Sequence, residues 1–148
     1  MAGDGKLRDD SVCSDELRTF LREAPADYLK SAARFCLENA FTDSGLVLQD
    51  VINEIGSRLE FQVDRGPYRG SRNKTGFDGC WRAPGCRDMI IEVKTTDYIN
   101  LPLPKLFNYK QALVEASKIG YDACVLVVLG REDAGFARRP GEGFASCV

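Results

Sequence analysis

Three residues that could hold a divalent cation and bind phosphate stand close together in the sequence. Asp78 is followed, after a spacer, by the triplet Glu92-Val93-Lys94. Side chains alternate between the two faces of a β-strand, so a strand here puts Glu92 and Lys94 on one face, with Cβ atoms roughly 6.5 to 7 Å apart. Carboxylate oxygens suit Mg²⁺, and an ammonium group binds phosphate. These residues therefore predict a site for a divalent metal and a phosphate ester.

A β-hairpin is the element that must position these residues. Its first arm is predicted at about residues 75–82 and its second at about 88–95, joined by the turn residues Ala83-Pro84-Gly85. The second arm is rich in Ile and Val, which is typical of a buried strand. Asp78, on the first arm, then reaches the sheet edge that carries the acid-x-lysine triplet.

The flanking sequence predicts an α/β domain, with a mixed central sheet of about four strands flanked by helices and preceded by two N-terminal helices. Helices are predicted at about 15–23, 26–41, 46–59 and 104–119, and strands at about 59–64, 75–82, 88–95 and 121–129. The near-continuous apolar run 121–129 is typical of a strand buried on both faces. The strand–helix–strand passage before it predicts a parallel crossover.

The chain divides by pattern into three parts. Residues 1–44 form a helical extension, residues 45–130 form the core, and residues 131–148 are a tail without a clear period. We expect this tail to be flexible, and its origin as a native segment or as the remnant of a truncation or frame change stays open.

Composition excludes several chemistries. None of the 148 residues is a histidine, which excludes Ser-His-Asp and Cys-His catalysis and histidine-ligated metals. No apolar run approaches the roughly 18 residues of a membrane span, and residues 1–10 lack the apolar core of a signal peptide. We therefore expect a cytoplasmic protein with no membrane partner.

A basic segment surrounds the first acid. Residues 65–88 carry six basic and two acidic side chains, a charge of +4, while the whole chain carries −2 and the remainder therefore −6. Such a local patch suits a phosphate backbone, and the alternative is a loop that is merely solvated by its charges. The candidate nucleic-acid-binding residues are Arg65, Arg69, Arg72 and Lys74.

At the acid and the acid-x-lysine triplet the sequence resembles the PD-(D/E)xK nuclease superfamily, whose fold is restriction-endonuclease-like. The resemblance covers roughly residues 45–130. It implies that Asp78, Glu92 and the Val93 carbonyl hold Mg²⁺, for which Mn²⁺ would substitute. It further implies that Lys94 either stabilises the charged phosphorane or helps to orient the attacking water.

The same resemblance implies a function and two accessory residues. Glu54, on the helix before the first strand, would add an acid to the metal site, and Gln111 would lie near the lysine. The implied function is metal-dependent endonucleolytic hydrolysis of DNA, with a second copy of the chain in a homodimer or other defence-system subunits as the implied partners. Two alternatives stay open: a non-catalytic nucleic-acid-binding module of the same fold, and a helical adaptor whose N-terminal helices form the working surface.

Overall fold

A computed structural model describes residues 4–69, 76–95 and 103–130 of the chain. Within these residues the fold is α/β, with four helices and one four-stranded sheet. The helices are α1 (Val12–Glu23), α2 (Ala26–Glu38), α3 (Ser44–Arg58) and α4 (Leu103–Glu115). The strands are β1 (Gln62–Arg65), β2 (Gly79–Arg82), β3 (Met89–Lys94) and β4 (Cys124–Leu129). The predicted tail 131–148 lies outside the described residues.

The sheet is mixed, as the sequence predicts. Its strand order is β1-β2-β3-β4, and β1–β2 and β2–β3 pair antiparallel, while β3–β4 pairs parallel. β2 and β3 form the predicted hairpin, with Gly79 opposite Ile91. The parallel pairing of β3 and β4 brackets α4, as expected when a helix connects two neighbouring parallel strands.

The two faces of β3 belong to two different cores. Ile91 and Val93 pack with Trp81 and Leu48 in the core beneath α2 and α3. Ile90, which is fully buried, packs on the opposite face against residues of the α4 side. Since side chains alternate along a strand, Glu92 and Lys94 share the α4 side with Ile90.

The N-terminal helices pack on the outside of α3. Leu21 of α1, Leu29 of α2 and Val51 of α3 are buried together in a third apolar cluster. The Arg58 guanidinium adds a polar tie, because its Nη2 donates to the carbonyl oxygens of Leu21 at 2.8 Å and Ala24 at 2.5 Å. These contacts satisfy carbonyl groups at the C-terminal end of α1, which its own helix leaves without partners.

The last strand is less buried than its apolar sequence predicts. Along β4 the side chains of Cys124 and Leu126 are exposed and most others are only half-buried. β3 is its only strand neighbour among residues 4–69, 76–95 and 103–130. The prediction that β4 is buried on both faces is therefore wrong. A run of apolar residues shows only their type, and it does not show whether other elements cover both faces of the strand.

Several predicted element ends also need correction: α2 ends at Glu38, α4 at Glu115, and β2 and β4 begin only at Gly79 and Cys124. α1 begins at Val12, earlier than expected, because Ser11 is its N-cap, with the Ser11 hydroxyl accepting from the Ser14 amide. β1 begins at Gln62 and not at Leu59, which is 61% exposed. Glu60 adopts a left-handed backbone with φ of 66°, and this turn separates α3 from β1. None of the helices in the described ranges has the length and apolar character needed to cross a bilayer.

Candidate metal and phosphate site

Asp78 and Glu92 lie close together at the end of the β2–β3 hairpin. The regular pairing of the two strands ends with Gly79 opposite Ile91. Asp78 comes immediately before this pair, and its amide donates to the Ile91 carbonyl at 3.0 Å. This hydrogen bond holds Asp78 against β3 next to Glu92, whose charge contributes to the raised pKa of Asp78. The two predicted acids are therefore brought together.

The Asp78 carboxylate is hydrogen-bonded to β3, the strand that carries Glu92 and Lys94. Its Oδ2 accepts a hydrogen bond of 2.6 Å from the Val93 amide. Burial raises the pKa of Asp78 to about 6, with a smaller upward contribution from Glu92, while the Val93 hydrogen bond and Lys94 act in the opposite direction. A half-buried carboxylate whose charge is disfavoured gains from a nearby cation.

Among the described residues, one carboxylate oxygen of Glu92 has no partner. The residue is 8% exposed, and its Oε1 lies 2.6 Å from the Lys94 ammonium. Its Oε2 is buried and takes no hydrogen bond within the described part of the chain. Buried polar atoms are nearly always paired, so an orphaned carboxylate oxygen calls for an ion or a water. Lys94 itself is partly open to solvent, with its side chain 39% exposed.

The beginning of α4 flanks these carboxylates. The Lys105 ammonium lies 5.5 Å from the centre of the Tyr109 ring. The pKa of Lys105 is raised, first by its hydrogen bond with Tyr109 and to a smaller extent by Glu92. The Tyr109 hydroxyl lies 3.4 Å from the place that a Cβ on Gly76 would occupy. A second lysine thus lies within reach of the Glu92 charge, and the Tyr109 hydroxyl lies near the backbone two residues before Asp78. Lys105 was not among the predicted site residues, because in the sequence it looks like an ordinary residue of a helix surface.

The donor set suits a cation that keeps much of its hydration. No group of three or more His, Cys, Asp or Glu side chains comes close enough to hold a metal among the residues that the structure describes. A cation bound here would have two carboxylates as ligands, those of Asp78 and Glu92, which is the usual protein contribution at a Mg²⁺ site that also binds phosphate. The main chain of Val93 reaches the site through its N–H group. Its carbonyl as a metal ligand stays a prediction.

The two accessory candidates have other side-chain partners, and the place of Gln111 near Lys94 stays a prediction. Glu54 is buried, with its carboxylate 3.3 Å from the Arg58 guanidinium and 3.4 Å from that of Arg65. It does not form a group with Asp78 and Glu92. Gln111 is exposed and donates to Glu115 one turn along α4 at 3.0 Å. Both side chains have structural partners that account for them.

The basic candidates divide into three kinds. Arg65 is half-buried, and its guanidinium contacts Glu54 at 3.4 Å and Asp50 at 3.6 Å, so its charge is neutralised inside the protein. Arg69 is exposed at the end of its segment. Arg72 and Lys74 lie outside the described residues. Contact of these four residues with nucleic acid stays a prediction, and Arg65 has the least free charge to contribute.

Comparison with protein-family models, with curated proteins and with solved structures finds no match for this chain. Its function has to be inferred from the site itself.

Proposed function

We propose that this chain is a metal-dependent endonuclease that hydrolyses phosphodiester bonds in DNA, with a restriction-endonuclease-like core between residues 45 and 130. One observation carries the proposal. Two carboxylates lie close together beside β3, a lysine contacts one of them at 2.6 Å, and Glu92 Oε2 is buried without a partner in the described part of the chain. An ordinary surface salt bridge gives no reason for a second acid or for an orphaned carboxylate oxygen.

Asp78 and Glu92 would hold Mg²⁺, or Mn²⁺ in its place. When bound, the metal lowers the pKa of a coordinated water and neutralises phosphate charge. The protein's part is to present the two acids together. The Asp78 amide binds the Ile91 carbonyl of β3, and the Val93 amide fixes one oxygen of Asp78. This preorganisation favours cation binding, since the repulsion between the two acids is built into the fold.

Lys94 supplies the positive charge of the site. Its ammonium contacts Glu92 at 2.6 Å, which keeps it on the site face of β3. A phosphate bound beside the acids would receive this charge, either as stabilisation of the charge that develops during displacement or as a contact that orients the attacking water. A preorganised donor in such a position typically contributes about 10²- to 10³-fold in rate.

The α4 side adds a second cation for the substrate. Lys105 is exposed, lies near enough to Glu92 to be influenced by its charge, and stacks on Tyr109. Arg69 and the predicted contributions of Arg72 and Lys74 would extend positive charge along the part of the sequence that precedes Asp78. A polyanion is the substrate that makes use of cations spread over several elements.

Cleavage of supercoiled plasmid tests the proposal. The wild-type chain should convert it to nicked and linear forms with Mg²⁺ or Mn²⁺, and EDTA should stop the reaction. Binding of the plasmid without cleavage under any of these metal conditions would favour the non-catalytic module, and neither binding nor cleavage would favour the helical adaptor.

A further inference from the structure

Asn53 of α3 connects the helix to the strand segment that carries Asp78. The residue is 1% exposed. Its Nδ2 donates to the main-chain carbonyl of Asp78 at 2.9 Å, and its Oδ1 accepts from the Trp81 indole at 3.0 Å. The Trp81 N–H can only donate, so the direction of the amide is fixed.

The Asp78 carbonyl accepts a second hydrogen bond, from the main chain. The Gly66 amide also donates to it, at 3.0 Å, and Gln49 of α3 donates to the Gly66 carbonyl at 2.9 Å. Two side-chain amides of one helix, Gln49 and Asn53, thus hold the crossing of two backbone segments at the residue that provides the first acid.

Glycines make this close approach feasible. A Cβ on Gly79 would lie 2.1 Å from Asn53 Oδ1, and a Cβ on Gly66 would lie 1.7 Å from the Phe77 carbonyl oxygen. Contacts this short do not occur between real side chains and backbone. Glycine at positions 66 and 79 therefore leaves room for the Asn53 side chain and for the close contact of the two backbone segments beside Asp78.

Asp78 needs such support because it lies one residue outside β2. The β1–β2 pairing ends with Arg65 opposite Gly79. We propose that Asn53 is a positioning residue, which fixes the Asp78 main chain so that its carboxylate stays beside Glu92. This inference rests on the proposed function of the site. Residues that orient metal ligands in this indirect way typically influence metal affinity or activity by roughly 10- to 100-fold.

Asn53→Ala and Trp81→Phe form a matched pair for the test. Both remove the bond between Asn53 and the indole, but only Asn53→Ala removes the donor to Asp78. Mn²⁺ affinity is measured by titration calorimetry, and amide hydrogen exchange is followed at Val93, whose N–H donates to Asp78 Oδ2. Asn53→Ala should weaken Mn²⁺ binding roughly 10- to 100-fold. It should also speed Val93 exchange by about 10-fold or more relative to the other β3 amides.

Trp81→Phe should lower stability while leaving Mn²⁺ affinity and the relative exchange of Val93 close to wild type. Equal values for the two variants would overturn the inference and make Asn53 a packing residue. If Asn53→Ala does not fold, Asn53→Ser serves in the same comparison. A wild-type chain that binds no Mn²⁺ would contradict the proposed function alone, because Val93 exchange reads the position of Asp78 without metal.

Discussion

Replacing Asp78 by Asn should stabilise the metal-free protein, and the gain should grow with pH. The pKa of Asp78 is raised from 3.8 to about 6 by burial. The folded state therefore binds the proton more tightly than the unfolded state, and the wild type loses stability as pH rises through this interval. Asn keeps an oxygen for the Val93 amide but carries no charge, so the variant escapes this loss.

The size of the effect follows from the shift. About two pKa units at 1.36 kcal/mol each set a ceiling of ~3 kcal/mol. About 2 kcal/mol of this loss of stability falls between about pH 4.5 and pH 8, because the wild type has already lost part of it at pH 4.5. For a chain of this size that corresponds to a relative gain in Tm of about 4–8 °C.

Thermal melts in EDTA from about pH 4.5 to pH 8 measure this difference. Asp64→Asn, which removes an exposed aspartate of β1, is the control for the loss of one negative charge. Adding Mn²⁺ should then stabilise the wild type and not Asp78→Asn, since only a state that binds the ion gains from it. If the difference in Tm between Asp78→Asn and wild type stays constant or falls as pH rises, the conclusion that burial disfavours the charge of Asp78 is refuted.

Two further predictions concern the cation and the nucleic acid. Titration calorimetry should detect one Mn²⁺ in the wild type and none in the double variant Asp78→Asn with Glu92→Gln, and unchanged binding would remove the metal site. DNA affinity should fall steeply with salt, and neutralising Arg69, Arg72 and Lys74 together should make the slope of log affinity against log salt shallower, by about 0.9 for each phosphate that these side chains neutralise in the wild type. A slope identical to wild type would leave these side chains as solvated loop residues.

The local pattern of the hairpin was enough to place its acids and lysine. Strand alternation fixes the shared face of Glu92 and Lys94. The hairpin returns the start of β2 to the end of β3, and Asp78 lies one residue before β2. The apolar periodicity of α3 and the turn residues after β2 are also local signals, because each depends only on residues a few positions apart in the sequence. For these reasons the α/β class and the mixed four-stranded sheet are confirmed.

Long-range partners were beyond such reasoning. Glu54 reads as a helical acid near a predicted metal site, yet Arg58 and Arg65 bind its carboxylate. Asn53 reads as a polar residue at the border of an apolar stripe, although it is buried against Asp78 and Trp81. Which side chain satisfies a buried polar group depends on contacts between distant segments, and spacing along the chain carries no record of them.

The most direct test of the central claim is plasmid cleavage by Lys94→Ala, run beside a thermal melt. Lys94 is partly exposed and contacts Glu92, while the apolar side chains of β3 are the ones that pack in the protein core. The variant should therefore melt close to wild type and cut about 10²- to 10³-fold more slowly. Lys94→Arg should also fail, because a planar fork does not replace a compact ammonium. Lys110→Ala, which removes a half-buried lysine of α4, controls for the loss of one positive charge. A Lys94→Ala protein that melts normally and cuts at the wild-type rate would contradict the nuclease assignment.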